Sequence, residues 1–149
     1  MDQKDYVSPC GINCLDCLIH ESNLTEEYKI RVADYLGVSP DAVHCKGCRP
    51  EQGKCLFVPS GCATWGCTQK KGVAYCFECD AFPCGLLAPS AKGANRAHNL
   101  KVYNLCRMKS FGIDAWLEES AHNMKLYFEG EFIVGKGPVL SYDENQNNE

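Results

Sequence analysis

The 149-residue sequence lacks the patterns that mark most membrane, secreted and familiar catalytic proteins. No stretch reaches the roughly eighteen consecutive apolar residues of a membrane span. The first nine residues contain no apolar core of the kind that a signal peptide needs. The nucleophile elbow Gly-x-Ser-x-Gly, the phosphate-binding loop and the His-Glu-x-x-His zinc motif are also missing. We therefore expect a cytoplasmic protein with no membrane segment, and we assign no catalytic residue.

Positive charge is also scarce. The chain carries 15 Lys and Arg against 19 Asp and Glu, for a formal net charge of −4. Its basic residues form only two small patches, at 69–71 and 101–109. Binding to nucleic-acid phosphates requires a concentrated basic face, so these numbers argue against a nucleic-acid partner. A protein or a small molecule remains as the expected partner.

Cysteine is what the chain has in abundance. Of its 12 cysteines, 11 lie between Cys10 and Cys84, and six of these form three Cys-x-x-Cys pairs. A two-residue spacer lets a tight turn direct both thiolates at one ion, whereas disulfides usually close longer loops. Disulfides are also rare in the reducing cytoplasm. The spacing therefore predicts a cysteine-rich, zinc finger-like metal-binding protein.

Structural zinc takes four ligands in a closed tetrahedron. One compact set of four is Cys45, Cys48, Cys62 and Cys67, where Gly47 allows the sharp turn inside the first pair. A second set is most simply Cys14, Cys17, Cys76 and Cys79, which pins the first cysteine block to the last. Cys10 and Cys84 are then alternates or neighbours. This assignment predicts two Zn²⁺ ions per chain.

An iron–sulfur site is the main alternative cofactor. The spacing Cys10-x3-Cys14-x2-Cys17 is the one with which radical S-adenosylmethionine enzymes hold a four-iron, four-sulfur (4Fe–4S) cluster. Those enzymes usually have an aromatic residue where this chain has Asp16, and no alternation of strands and helices follows here. The alternative function is thus an iron–sulfur protein or a metal-dependent enzyme of redox or radical type. Of the two, we favour a binding protein that is not an enzyme and keep the enzyme as the alternative.

The remaining ligand-type residues are predicted to have ordinary roles. His20 follows Cys17 at Cys-x-x-His spacing, but a surface or core histidine is the simpler interpretation, and the same holds for His44. Cys55 falls in a loop and Cys106 in a helix, where buried or idle thiols are the default.

Helix signals divide the chain. Asn23 is a predicted cap for a helix that ends at Gly37, Ser39-Pro40-Asp41 starts a short helix, and a further helical turn over 63–71 ends at Gly72. A longer helix is predicted from Ser90 or Asn95 to about residue 110. The following helix is capped by Asp114, with one apolar face formed by Leu117, Ala121, Met124 and Phe128. A small hairpin is predicted over 126–134.

These signals predict an α-rich, irregular α+β fold. The amino-terminal half has few large aliphatic side chains, so metal must replace part of its core, and a structural zinc site contributes roughly 10 kcal/mol or more. We predict a single metal-stabilised domain over 8–140, with cysteine clusters in the amino-terminal half and helices in the carboxyl-terminal half. Its parts are metal-bearing (8–88), helical (89–128) and hairpin (129–140), followed by a disordered tail (141–149).

The order of these motifs resembles a bacterial and archaeal cysteine-rich family, domain-of-unknown-function family 3795. The resemblance spans about residues 8–120, and it is carried by the blocks Cys10-Gly-x-x-Cys14-x-x-Cys17, Cys45-x-Gly-Cys48, Cys62-x4-Cys67, Cys76-x-x-Cys79-x-x-Phe82-Pro83-Cys84 and Phe111-Gly-Ile-Asp-Ala-Trp-Leu117. It implies zinc binding without an established activity. We therefore expect a zinc-binding protein in which cysteine-ligated metal holds the fold and presents a binding surface.

Overall fold

A computed structural model describes residues 2–140 of the chain. The predicted disordered tail over 141–149 lies outside these residues. The fold is helix-rich α+β, with its cysteines clustered in the amino-terminal half, and this confirms the predicted class. Its main elements are α1 (Glu26–Leu36), α2 (Ala63–Lys71), α3 (Lys101–Phe111), α4 (Ile113–Glu129), β1 (Glu131–Ile133) and β2 (Gly137–Val139).

Short 3-10 helices connect these elements. They lie at Gln3–Tyr6, Cys14–Asp16, Pro40–Ala42, Cys76–Glu78, Gly85–Leu87 and Ala97–Leu100. Two of them fall inside cysteine blocks, where a single tight turn brings the ends of a Cys-x-x-Cys pair together. Within the described part of the chain, none of the helices is long and apolar enough to cross a membrane.

The first helix begins two residues later than its sequence signals suggest. Thr25 is the N-cap of α1, and its side chain accepts a hydrogen bond from the backbone N–H of Tyr28 at 3.2 Å. The predicted cap, Asn23, is wrong because its amide donates to the carbonyl oxygens of Leu15 and Cys17 instead. The predicted end is confirmed, since Gly37 adopts a left-handed conformation with φ of 68°.

Two other predicted elements agree with the structure. Helix α2 covers Ala63–Lys71 and ends at Gly72, which is left-handed with φ of 64°. Pro40–Ala42 forms the short helix expected after Ser39. Both predictions rest on local signals, namely glycine after the last turn and proline in the first.

The helix predicted to begin at Ser90 or Asn95 is shorter than expected. Helix α3 starts only at Lys101, because the backbone N–H of Ser90 donates to the side chain of Asn99, and the Asn99 amide donates back to the Ser90 carbonyl. This exchange of hydrogen bonds holds the segment in turns.

Helix α4 corrects two further expectations. Gly112 is its N-cap, and Asp114 lies in the first turn, where it pairs with Lys4 at 2.7 Å. The buried face of α4 consists of Trp116, Ser120 and Asn123, with the predicted members Ala121 and Phe128 exposed. The face is rotated because Ser120 is turned towards the first cysteine block, at 10–17. Ser120 Oγ accepts a hydrogen bond from the Asn13 amide at 3.1 Å.

A hairpin closes the described chain, but it starts later than predicted. Helix α4 continues to Glu129, and the antiparallel strands pair Glu131 with Val139 around a turn at Gly135.

The cysteine blocks and the carboxyl-terminal helices share one hydrophobic core. This core consists of Val7, Cys10, Tyr75, Cys76, Leu87, Leu105, Met108 and Trp116. A smaller cluster of Val32, Ala33 and Val43 lies under α1. The thiol side chains of Cys10 and Cys76 therefore pack directly on the helical half.

Candidate metal centre

The first cysteine block, at 10–17, meets the second, at 45–48, through the side chain of Cys14. Its Sγ accepts a hydrogen bond from the backbone N–H of Cys48 at 3.4 Å. Gly47 lies at the closest approach, with φ of 99°, and a Cβ there would come within 3.3 Å of the Cys14 Cβ. Glycine suits this position of Cys45-Lys-Gly-Cys48 because the backbone is left-handed, and a side chain there would crowd Cys14.

Backbone contacts fix the same two blocks along their length. The N–H of Glu21 donates to the carbonyl oxygen of Cys45 at 2.8 Å, and the N–H of His20 donates to that of Cys17 at 3.1 Å. The Asn23 amide closes the first block by donating to the Cys17 carbonyl at 3.0 Å. Cys14, Cys17, Cys45 and Cys48 form the group that we call the first thiol set.

Burial favours the protonated thiol at Cys14, Cys45 and Cys48. Removal from water raises the pKa of Cys14 to about 12 and that of Cys45 to about 11, and it also raises the pKa of Cys48. The neighbouring thiols add to each shift, since charging one makes it harder to charge the next. Metal binding here must therefore displace protons.

A second group of thiols surrounds a cavity between α2 and the segment at 76–84, which we call the third cysteine block. The cavity has a volume of about 20 Å³. Its sulfur-bearing lining residues, which we call the second thiol set, are Cys67, Cys76, Cys79 and Cys84. Cys67 comes from α2, and the other three come from the segment that folds back over it.

Lys71 distinguishes the second thiol set from the first. Its Nζ lies 3.2 Å from Cys79 Sγ, and the backbone N–H of Ala81 donates to the same sulfur at 3.4 Å. The Ala81 hydrogen bond and the lysine together lower the pKa of Cys79. Cys76 behaves oppositely, because burial raises its pKa to about 12.

The other cysteines lie around these two sets. Cys10 is buried in the main core, 3.2 Å from Ser8 Oγ, and the N–H of Cys76 donates to the adjacent Pro9 carbonyl at 2.8 Å. Cys62 is the N-cap of α2, and Cys106 is exposed on α3. The first block thus contacts the second block through Cys14 and the third block beside Cys10.

Cys55 lies in an open cleft. The cleft has a volume of about 320 Å³, and its lining residues are His44, Glu51, Lys54, Cys55, Leu56 and Pro59. The exposed His44 places Nδ1 3.2 Å from the carbonyl oxygen of Ala42.

The cavity places Cys67 with the third block, whereas spacing groups it with Cys45, Cys48 and Cys62, and the ligand sets themselves stay a prediction. Across residues 2–140, no three His, Cys, Asp or Glu side chains stand in the geometry of an assembled metal site. The chain thus brings the thiol-bearing segments together without drawing their sulfur atoms into a tetrahedron.

Two basic residues make contacts that the sequence does not indicate. Lys71 belongs to the small basic patch at 69–71, and nothing in that pattern pairs it with Cys79. Arg49 donates to the carbonyl oxygens of Val7 at 2.7 Å and Ala74 at 2.9 Å, and it lies over the Tyr75 ring, 4.9 Å from its centroid. Its only sequence signal is its position directly after Cys48, which does not specify these contacts.

Part of the chain matches a known protein family. Residues 6–89, more than half of the chain, match the family described as "Protein of unknown function (DUF3795)". These residues contain every cysteine except Cys106 and end before the 111–117 block. No curated protein and no solved structure matches the chain. The protein therefore belongs to the DUF3795 family, as the order of its cysteine blocks predicts.

Proposed function

We propose that this chain is a zinc-binding protein in which cysteine-ligated metal holds the fold and presents a binding surface. The observation that carries the proposal is the convergence of Cys67, Cys76, Cys79 and Cys84 on one small cavity. Four thiolates are a complete ligand set for structural zinc. Their side chains would have to turn inward to bind one ion.

Charge at this cavity supports the same proposal. Four thiolates around Zn²⁺ leave a net charge of about −2, which a nearby cation offsets. Lys71, 3.2 Å from Cys79 Sγ, is in position to supply that positive charge. Among the described residues, Lys71 is the only charged one that lines this cavity, and its position beside Cys79 is well explained by such a site.

The first thiol set supplies the second proposed site. Cys14, Cys17, Cys45 and Cys48 come from two Cys-x-x-Cys pairs that touch through Cys14 and the Cys48 N–H. Two such pairs are the usual construction of a closed zinc site. The proposal therefore keeps two zinc ions per chain. It groups Cys45 and Cys48 with the first block, and it groups Cys67 with Cys76, Cys79 and Cys84.

Cavity size favours a single ion over a cluster. The cavity of the second thiol set, at about 20 Å³, has room for about one water-sized body. One zinc ion fits a space of this order, whereas the eight core atoms of a 4Fe–4S cluster need the segments to separate.

The proposed binding surface lies at the hairpin end. Phe132 is 73% exposed and Val134 88% exposed, and Phe128 lies just before them on α4. Apolar side chains that face solvent together are typical of protein contacts. The chain's net charge of −4 makes a protein a better candidate partner than a nucleic acid.

Metal analysis of protein purified anaerobically tests this function. We expect about two zinc ions per chain and no labile sulfide. Cys79→Ser and Cys14→Ser should each lose about one zinc ion, and Cys106→Ser, which changes an exposed thiol outside both sets, should keep both. Iron with labile sulfide would instead establish the cluster alternative. Zinc-free protein whose thiols all titrate freely would overturn metal binding altogether.

A further inference from the structure

His20 is a buried histidine with an unused ring nitrogen. Only 4% of the residue is exposed, and Nε2 has no hydrogen-bond partner among the described residues. Asp16 Oδ2, in the same cysteine block, also lacks one there, so these two atoms do not bond to each other. Buried polar groups of this kind are rare in folded proteins, and each calls for an explanation.

The contacts of the other ring nitrogen show which nitrogen of His20 carries the proton. Nδ1 accepts a hydrogen bond from the backbone N–H of Ser22 at 3.3 Å and lies 2.7 Å from Ser22 Oγ. A neutral imidazole has one N–H and one acceptor nitrogen, so an accepting Nδ1 leaves the proton on Nε2. The unused atom is therefore a hydrogen-bond donor and needs an acceptor.

His20 lies between two segments that carry cysteines. Its backbone N–H donates to the Cys17 carbonyl, and that of Glu21 donates to the Cys45 carbonyl. Its ring packs edge-on against Tyr6, with centroids 5.5 Å apart, and Tyr6 in turn reaches the Gly47 position at 3.6 Å. The imidazole thus lies beside the segments that carry the first thiol set.

We propose that His20 is a positioning residue of the first metal site, whose Nε2–H donates to a zinc-bound thiolate of Cys17 or Cys45. This inference rests on the proposed function. Cys14, Cys17, Cys45 and Cys48 would supply all four ligands of the first zinc site, so the imidazole is not needed as a ligand. A metal-bound thiolate keeps lone pairs that accept hydrogen bonds, and such a bond fixes its orientation and disperses its charge.

The test compares full-length zinc-loaded variants by chelator competition and by the absorption spectrum of the Co²⁺-substituted protein. His20→Leu removes the donor, and His20→Gln keeps an N–H donor at a similar reach. His44→Leu is the matched control, because His44 is exposed and adjacent to Cys45.

We expect His20→Leu to lower the affinity for one of the two zinc ions by about 10- to 100-fold. His20→Gln should recover most of that affinity. His44→Leu should bind like the unchanged protein. The Co²⁺ spectrum should report four sulfur ligands in every folded variant.

Three results would overturn the inference. Unchanged zinc affinity in His20→Leu would exclude the hydrogen bond. His20 would be a ligand and not a donor if the Co²⁺ spectrum of the unchanged protein reported three sulfurs and one nitrogen and this ligand set changed in His20→Gln. Absence of zinc from the unchanged protein would remove the proposed function itself, a failure distinct from the other two.

Discussion

The side-chain amide of Asn104 donates a hydrogen bond to the carbonyl oxygen of Gly11, with 2.7 Å between the two atoms. Asn104 is buried on α3, and Gly11 lies between Cys10 and Cys14. Gly11 has φ of 90°, and a Cβ there would come within 2.9 Å of Leu105 Cγ and of the Lys101 carbonyl oxygen. Helix α3 therefore sets the position of the first cysteine block.

Gly11→Ala should destabilise the protein strongly. Left-handed backbone strain costs about 1–3 kcal/mol, and overpacking against α3 adds a similar amount. The measurement is urea unfolding. Gly61→Ala is the matched control, because Gly61 has φ of 104° but nothing within 4 Å of its Cβ position. Equal losses in the two variants would show that contact with α3 contributes nothing.

Lys71→Met should slow alkylation of Cys79 in zinc-free protein near neutral pH. The Ala81 N–H and the lysine lower the pKa of Cys79, so removal of the lysine raises that pKa and leaves less reactive thiolate. Mass spectrometry of the Cys79 peptide after timed iodoacetamide treatment gives the rate. Lys70→Met is the control on the same turn of α2, and an equal effect there would refute a specific pairing.

The grouping of cysteines can be tested by double substitution. If Cys67 and Cys79 hold one zinc ion, the double variant to Ala should lose little stability beyond either single variant. Cys17 and Cys79 belong to different sets, so their losses should add. The stabilities come from thermal unfolding of zinc-loaded protein. If the losses added for Cys67 and Cys79 but not for Cys17 and Cys79, then Cys17 would share a zinc ion with Cys79, as spacing suggests.

Arg107 and Glu119 should make the helical half sensitive to acid. The guanidinium donates to both Glu119 oxygens, at 2.7 and 2.6 Å, and this lowers the pKa of Glu119. A carboxyl with a lowered folded-state pKa stabilises the protein above its ordinary value of 4.5, and this stability is lost as the pH falls through the folded-state pKa.

Glu119→Gln should therefore cost about 1 kcal/mol at neutral pH, a modest amount because the pair is partly exposed, and should flatten the loss of stability below pH 4.5. Denaturant unfolding at a series of pH values measures both effects. Glu118→Gln changes an exposed neighbour, and an equal acid response in that variant would contradict the role of the ion pair.

Local signals account for most of what could be predicted from the sequence. Gly37 and Gly72 end their helices where expected, because helix termination depends on a residue's own backbone preference. The start of α3 could not be foreseen, since Asn99 holds Ser90 from nine residues away. The rotation of α4 depends on a contact between Asn13 and Ser120.

The thiol sets show the same division between local and distant information. Spacing identifies each Cys-x-x-Cys pair, since the turn inside it is local. It does not decide which pairs meet, because that depends on how α1 and α2 turn the chain. Cys67 lies five residues after Cys62, yet α2 directs it into the cavity beside Cys76 and Cys84.

The guanidinium of Arg49 joins three separate stretches of chain without any metal. It donates to Val7 and Ala74 and stacks on Tyr75, so the segment after Cys48 is fastened to both other cysteine blocks. This fastening brings the cysteine blocks near one another through a contact that involves no sulfur atom, so it shortens the loops that an ion between the blocks has to close. If zinc binds as proposed, each ion then adds its stabilisation to segments that the guanidinium already holds in register.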